Sequence, residues 1–397
     1  MLEKALTRSG LPLSLLLLAK AVFMSQISSS AASQLQCQQG QWVLYLQGSP
    51  FEMGFQHGHL LREKIQYNIQ TYLKNPPAEA TESRVAEFLE ALPDVLSYIP
   101  QRYQEEMQGI AEGANVPFED IVRLNLFPEM FHCCGITASG SATQDGSLYH
   151  TRVLDYSTGK GLQSSSVLIV AKPKDRLSFT NVTYAGFIGS VTGMNEKKIA
   201  IGEIGGQGYG YWKGMPMSFL LRSILEQATT WQEAKDLLIK TPRTCEYYYI
   251  ISDGKTQESF ACYATHQNIS FLYPGKDYSL TPSSIPKQDL ITEEGKSKDP
   301  SALFFEQPQD TLLVTGSSSP ERYPHLLQRV QSQLGSINEQ ILMNIIKEPV
   351  SRESNLHNAI FHPSSLTLWV SHAGPQGEPA HSQTYARFCL EDLQKFF

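Results

Sequence analysis

The spacing of apolar residues divides this chain into a helical first part and a second part rich in strands. Between residues 51 and 126, apolar positions recur every three or four residues, as in amphipathic helices. Ser49 and Pro50 mark the start of the first helix, because Ser caps helix N-termini and Pro fits the first turn. Helices are predicted over 51–74, 85–98, 104–112 and 118–126.

Beyond residue 133 the apolar period shortens to two or the runs become continuous, which indicates β-strands. Strands are predicted at 148–154, 166–171, 177–184, 186–191, 199–204, 247–252, 259–264, 359–361 and 367–370, with an earlier one at 41–46. Helices are predicted at 216–227, 231–239, 321–334 and 338–346, and an exposed loop at 277–310. This order of helices and strands favours an α+β fold, layered as a sandwich in one domain.

The chemically richest stretch runs from Phe131 to Tyr156. It contains adjacent cysteines, Cys133 and Cys134, then an Asp145-Gly146 turn, then Arg152 and Asp155. Asp-Gly between apolar segments predicts a hairpin, which would fold the Arg152 strand back beside the cysteine strand. Arg152 and Asp155 are three residues apart, so on a regular strand they face opposite sides.

Composition narrows the classes of protein to consider. The chain has 397 residues, of which 41% are hydrophobic and 18% charged, as in globular proteins. A net charge of −7 gives no electrostatic footprint for nucleic acid, so no nucleic-acid partner is expected. Six cysteines are too few for a disulfide scaffold.

The first 33 residues have the pattern of a secretory signal peptide. Lys4 and Arg8 precede an apolar run over 11–24, and small residues follow up to Ser33. The run is too short and too interrupted for a comfortable membrane span. A signal anchor is the alternative, on the composition of the flanking residues. No second apolar run has spanning length, so no transmembrane segment is expected after removal of the signal. The triplets beginning at Asn181 and Asn268 are glycosylation acceptors that suit a secreted or lysosomal protein.

The two cysteines admit several interpretations. They could be buried thiols or disulfide partners. A zinc site with His57, His59 and His132 lacks the usual ligand spacing, so no metal is expected. His57 could be catalytic, but we expect it to pack at the head of the first helix. A papain-like signature is absent. Cleavage of the chain before a cysteine would instead free an α-amine with a pKa near 8, which could act as the general base for its own thiol.

Five short motifs make the chain resemble a known family. They are Gly48-Ser-Pro-Phe-Glu-Met-Gly54-Phe-Gln-His-Gly58, His132-Cys-Cys-Gly135, Ala142-Thr-Gln-Asp-Gly146, Arg152-Val-Leu-Asp155 and Gly193-Met-Asn-Glu-Lys197. In this order they resemble the isopenicillin N acyltransferase family of N-terminal nucleophile cysteine hydrolases, which is related to bile salt hydrolase and acid ceramidase. The resemblance implies a four-layer αββα sandwich without a cofactor, made as an inactive precursor.

The resemblance also implies roles for individual residues. Cys133 matches the nucleophile, and self-cleavage would fall between His132 and Cys133; Cys134 is the alternative nucleophile. Arg152 matches an arginine that favours the thiolate. Asp155 matches the acid that orients the α-amine. Asn195 matches an amide donor to the oxyanion.

Cleavage there would release a mostly helical chain, 34–132, that stays associated with a catalytic chain, 133–397. A second oxyanion asparagine is expected near Asp253, where this sequence has Tyr247, Tyr248 and Tyr249. The expected activity is hydrolysis of a linear, small-molecule or lipid-like amide, such as an N-acyl amide or a ceramide, through a thioester. The alternatives are an acyltransferase, a phospholipase or esterase at the same cysteine, and a non-catalytic binding protein of the same fold.

Overall fold

A computed structural model describes residues 34–73, 82–126, 132–206, 211–275, 307–315 and 322–397. The predicted signal peptide and most of the predicted loop at 277–310 lie outside these ranges. The described residues contain ten α-helices: α1 (Pro50–Leu60), α2 (Arg62–Asn68), α3 (Glu82–Tyr98), α4 (Gln101–Ala114), α5 (Phe118–Leu126), α6 (Met217–Gln227), α7 (Trp231–Lys240), α8 (Arg322–Gln331), α9 (Glu339–Ile345) and α10 (Leu390–Gln394). None of these helices is long and apolar enough to cross a membrane.

Fifteen strands are present in the described parts of the chain. In chain order they are β1 (Leu35–Gln38), β2 (Gln41–Gly48), β3 (His132–Ala138), β4 (Tyr149–Asp155), β5 (Ser166–Pro173), β6 (Phe179–Tyr184), β7 (Thr192–Asn195), β8 (Ile199–Gly205), β9 (Tyr247–Asp253), β10 (Glu258–Ala264), β11 (Ile269–Leu272), β12 (Thr311–Thr315), β13 (Asn355–His362), β14 (Thr367–His372) and β15 (Ala386–Cys389).

The strands form two layers that meet at a single residue pair. The first layer has the order β1-β2-β5-β6-β7-β8-β9-β10-β11, and the second has the order β12-β3-β4-β13-β14-β15. His132 on β3 pairs with Gly205 on β8, which joins the layers. Neighbouring strands are antiparallel except β2 and β5, which are parallel with Val43 opposite Leu168.

Side-chain packing places helices outside both sheets. Helices α1 to α7 contribute to one large apolar cluster that covers the outer face of the first sheet. Helices α8 and α9 cover the second sheet with a separate cluster that includes Ile136, Val153 and Leu326. A third cluster fills the space between the sheets, where Val43 and Leu168 meet Phe361 and Leu368. The predicted αββα order of layers is therefore confirmed.

The predicted first helix is interrupted. Ser49 accepts a hydrogen bond from the Glu52 amide in a capping box, as its position suggested. However, α1 ends at Leu60, α2 begins at Arg62, and Ile69–Leu73 form a π-helical turn. The predicted strand at 186–191 is also wrong, because β7 begins only at Thr192. The predicted pairing of the cysteine and arginine strands is confirmed, with Ile136 opposite Thr151.

Helices α1 and α4 are in backbone contact because four glycines line their interface. Gly54 and Gly58 on α1 face Gly109 and Gly113 on α4, each pair four residues apart. A Cβ atom added at Gly58 would lie 2.3 Å from the Ile110 carbonyl oxygen. Since both contacting groups belong to helix backbones, neither can move aside without separating the helices.

We therefore predict that Gly58→Ala lowers the free energy of unfolding by about 3 kcal/mol, the upper end of the cost of overpacking a core. The matched control is Gly159→Ala, because a Cβ there would meet only Ser157 Oγ at 3.6 Å. Urea unfolding of both variants measures the difference. Equal midpoints for the two variants would show that the helices separate at no cost.

Several histidines are buried without charge in this core. They are His57, His150, His357 and His372. Burial lowers the pKa of His57, His150 and His372 to about 3 and lowers that of His357 well below its usual value. Nearby arginines add to the effect: Arg222 lowers the pKa of His57, and Arg152 lowers the pKa of His150 and His357. These rings thus stay neutral where the unfolded chain would protonate them.

We predict that the fold loses stability as pH falls from about 6.5 to 4.5. In that window each such histidine costs about 1.4 kcal/mol per pH unit, because only the unfolded chain takes up its proton. Glu106 and Glu203, whose pKa burial raises to about 7, act in the opposite sense and offset two of the four histidines. His57→Gln should flatten the pH dependence of the unfolding free energy, whereas His325→Gln, at an exposed site, should not. A fold that becomes more stable on acidification would contradict this balance.

Candidate active site

Cys133 lies where the two sheets meet. It is the second residue of β3, next to the His132–Gly205 pair that joins β3 to β8. Its neighbour across the ladder is Leu154 on β4, and its side chain is fully buried. The stretch from Phe131 to Tyr156 therefore places the Cys133 thiol at one end of the space between the sheets.

Cys133 and Cys134 face opposite sides of β3. Cys133 packs in the same cluster as Leu154, whereas Cys134 packs in the cluster beneath α8 and α9 with Val153. Arg152 stands opposite Gly135. Gly135 comes two residues after Cys133 and therefore lies on the same face of β3, so Arg152 shares the face of Cys133. Asp155 stands opposite His132 and shares the face of Cys134. The predicted opposition of Arg152 and Asp155 is confirmed.

Arg152, Glu203 and Cys133 form a buried charged cluster, which we call the thiol cluster. Arg152 Nη2 donates to Glu203 Oε2 at 3.0 Å, and the Cys133 thiol donates to the same oxygen at 3.7 Å. Glu203 Oε1 accepts from the Gly205 amide, and Arg152 Nη1 donates to the Val153 carbonyl. The arginine and glutamate side chains are 0% and 1% exposed. Water therefore screens this ion pair very little.

Burial dominates the protonation states in the thiol cluster. It raises the pKa of Cys133 well above its usual value; Arg152 opposes this, and Glu203 adds to it. Burial also raises the pKa of Glu203 to about 7 against the influence of Arg152. Arg152 thus acts on the thiol in the expected direction, but in the intact chain desolvation outweighs it. The buried thiol is protonated at neutral pH.

Asp155 contacts a second arginine on the other face of the sheet. Arg322 at the start of α8 has Nη2 2.5 Å from Asp155 Oδ2, and Asp155 Oδ1 accepts from the Arg352 amide at 3.2 Å. Arg322 Nε donates to the Val350 carbonyl at 2.6 Å. Burial raises the pKa of Cys134 to about 11 against the influence of Arg322. Each cysteine thus has its own arginine and carboxylate.

Asn195 does not lie beside the thiol, which argues against its predicted role as the oxyanion donor. It ends β7, at the opposite end of the β7–β8 hairpin from Glu203. Its Nδ2 donates to the carbonyls of Leu225 and Ala228 at 3.0 and 2.8 Å. Its Oδ1 accepts from the amides of Lys197 and Ile199, both at 3.0 Å. All its hydrogen-bonding capacity is used to join the hairpin to the end of α6.

The structure also corrects the prediction for Asn181 and supports the one for His57. Asn181 is fully buried in β6, and its Nδ2 donates to the Gly189 carbonyl at 3.1 Å, so the folded chain has no room for a glycan there. Asn268 lies in the partly exposed turn before β11 and stays a predicted acceptor. His57 Nε2 accepts from the Gly186 amide at 2.9 Å, as a packing residue would.

Glu203 and Arg322 were missed from the sequence. Glu203 lies in a predicted strand with no motif around it, and Arg322 is 167 residues from Asp155. Only the paired strands and the packing of α8 bring these charges to the cysteines. Among the described residues, no three His, Cys, Asp or Glu side chains gather closely enough to hold a metal ion.

Comparisons with known proteins fit this arrangement. The model of the acyl-coenzyme A:6-aminopenicillanic acid acyl-transferase family matches residues 142–376, more than half of the chain. The match includes Arg152, Asp155, Glu203 and Arg322, and it begins after Cys133.

Individual relatives match different shares of this chain. Protein dcd1B of Dictyostelium discoideum is 23% identical over 88% of this chain and 74% of its own length. N-acylethanolamine-hydrolyzing acid amidase of Mus musculus is 28% identical over 47% of this chain and 55% of its own length. Acid ceramidase of Heterocephalus glaber is 28% identical over 44% of this chain and 50% of its own length. The family match, together with the αββα layers, shows that this chain belongs to the acyl-coenzyme A:6-aminopenicillanic acid acyl-transferase family.

Proposed function

We propose that this protein is a self-processing cysteine amidase that cleaves linear, lipid-like amides through a thioester on Cys133. The observation that carries the proposal is the thiol cluster: the buried Cys133 thiol donates to a buried carboxylate that is also paired with a buried arginine. An amidase and a ceramidase among the relatives favour an N-acyl amide as the substrate. Acyl transfer at the same cysteine is the second candidate, because the matching family is one of acyl-transferases.

The first step is cleavage of the chain itself. The Cys133 sulfur attacks the His132 carbonyl carbon, and the thiol proton passes to Glu203, whose Oε2 is 3.7 Å away. The bond between the His132 carbonyl carbon and the Cys133 nitrogen breaks, and the nitrogen takes the proton from Glu203, leaving a thioester and a free amine. Water then hydrolyses this thioester. Asp155 is paired across the ladder with His132, and its charge acts on the Cys133 thiol, which supports a role for this carboxylate in orienting the new amine.

The second step uses the new amine as a base. It takes the thiol proton, the sulfur attacks the amide carbonyl carbon, and the protonated amine gives its proton to the leaving nitrogen. Water resolves the acyl-thioester, or a second amine resolves it in acyl transfer. Arg152 favours the thiolate throughout, and the severed linkage lets water reach a thiol that is fully enclosed in the intact chain.

The predicted signal peptide supports a secretory route, and we propose that the protein is secreted or lysosomal. After cleavage the segments 34–132 and 133–397 stay together. The parallel ladder between β2 and β5 and the contact of α1, α4 and α5 with the first sheet support this, since both cross the cleavage point.

We predict that the wild-type protein matures to two chains, the second beginning with Cys133. Cys133→Ala removes the attacking sulfur, so it should remain a single chain without amide turnover. Cys134→Ser is the matched control, because Cys134 faces the other side of β3, and it should be cleaved and active. Gel electrophoresis with N-terminal sequencing distinguishes the three proteins. Normal cleavage of Cys133→Ala and loss of cleavage in Cys134→Ser would move the nucleophile to Cys134.

The thiol cluster also predicts different effects on stability and on activity. Arg152→Met leaves Glu203 buried without its partner, which should cost about 3–5 kcal/mol of unfolding free energy. Arg152→Met combined with Glu203→Met removes both charges and should recover most of that loss. Neither variant should turn over an N-acyl amide. Full activity in the stable double variant would show that the ion pair stabilises the fold but is not needed for turnover.

A further inference from the structure

A histidine and two hydroxyl groups bridge the sheets near the thiol. Tyr184 ends β6, Thr192 begins β7, and His357 lies on β13 of the other sheet. Tyr184 Oη is 3.1 Å from His357 Nδ1, and Thr192 Oγ1 is 2.9 Å from His357 Nε2. All three side chains are buried.

The histidine of this bridge lies in line with Cys133 across three neighbouring strands of the second sheet. Cys133 is opposite Leu154, and Leu154 is opposite His357, so the three residues share one face of neighbouring strands. Adjacent strands are about 4.8 Å apart, which places His357 about 10 Å from Cys133 across the sheet. Tyr184 packs in the same apolar cluster as Cys133 and Leu154, and its phenol interacts electrostatically with the Cys133 thiol and with Arg152.

The three side chains of this bridge carry one more donor hydrogen than their two hydrogen bonds require. Burial and Arg152 keep His357 neutral, so the ring has one N–H and one acceptor nitrogen. With the two hydroxyls, three donor hydrogens serve two hydrogen bonds. No other hydrogen bond involves the Tyr184 or Thr192 hydroxyl among the described residues. Whichever tautomer forms, one buried hydroxyl proton therefore has no acceptor.

A buried donor without an acceptor destabilises the folded chain, so the spare proton calls for an explanation in the function of the site. Of the two hydroxyls, that of Tyr184 belongs to the side chain that packs in the apolar cluster of Cys133 and interacts electrostatically with its thiol. When His357 Nδ1–H donates to Tyr184 Oη, Thr192 satisfies Nε2 and the phenol proton is free to bind another atom. The Tyr184 oxygen then accepts a hydrogen bond, which strengthens the phenol as a donor.

We propose that Tyr184, held by His357, donates a hydrogen bond to the carbonyl oxygen of the bound amide as that oxygen becomes an oxyanion. The inference rests on the proposed function. It supplies the side-chain donor that Asn195 cannot supply, since both hydrogens of the Asn195 amide are bound to carbonyls at the end of α6. The proton stays on Tyr184, so the step requires no additional reactant. His357 and Thr192 act as positioning residues.

The test compares two reactions of the same sulfur in Tyr184→Phe and in wild-type protein. Hydrolysis of an N-acyl amide passes through an oxyanion, whereas alkylation of the thiol by iodoacetamide displaces iodide and forms none. Loss of one oxyanion donor should lower kcat about 100-fold with little change in KM. The alkylation rate should remain that of the wild type. The control is Tyr149→Phe, at the other end of β4 opposite Ala138, which should leave both rates unchanged.

Each outcome decides the proposal. Wild-type turnover in Tyr184→Phe overturns it, and so does a parallel loss of turnover and alkylation, which would mean that the ring only shapes the site. His357→Gln, whose amide can still donate to Tyr184, should retain more turnover than His357→Leu. Equal turnover in these two variants would remove His357 from the proposal. A wild-type protein without a chain beginning at Cys133 would instead refute the proposed function, before any variant is made.

Discussion

One buried ion pair, Arg152 with Glu203, constrains the centre of this molecule. Two charges without water are stable only when each has its partner and its remaining hydrogen bonds. Here the partners come from different sheets, since Arg152 is on β4 and Glu203 is on β8. The ladder between β8 and β9 shifts register at Glu203, where the carboxylate accepts from the Gly205 amide. The sheets must therefore meet at this point, and Cys133 is held there with them.

In the proposed mechanism, the same constraint lets the intact chain hold the nucleophile without using it. In the enclosed site, desolvation keeps the thiol protonated although an arginine lies near it. Cutting the linkage before Cys133 would change this balance in two ways. It would open the end of the enclosed space, and it would place a new base on the same residue as the sulfur.

The first segment of the chain is held to the rest by buried charge as well as by strands. Arg222 on α6 pairs with Glu106 on α4 at 3.1 Å and with Glu226 on its own helix at 3.0 Å. Glu106 precedes the proposed cleavage point and Arg222 follows it. Separating the segments would expose apolar helix faces and leave these charges unpaired. Two such chains would behave as one folded unit.

The sequence predicted the local features of this fold better than its long-range contacts. The Ser49 cap, helix α5 and the pairing of the cysteine and arginine strands follow from neighbouring residues, and they were predicted. The break of the first helix at Leu61 was not predicted, because the apolar stripe continues through it. Glu203 and Arg322 carry no local signature. Asn195 was misassigned because a motif shows which residue is present but not where its amide points.

In the proposed mechanism, one residue carries both the reactive sulfur and a free amino group. The most direct measurement is to alkylate the active protein with iodoacetamide, digest it and fragment the labelled peptide by mass spectrometry. We expect the label on the sulfur of Cys133, in a peptide that begins at Cys133 without cleavage by the added protease. A label on Cys134, or on Cys133 still joined to His132 in active protein, would contradict it.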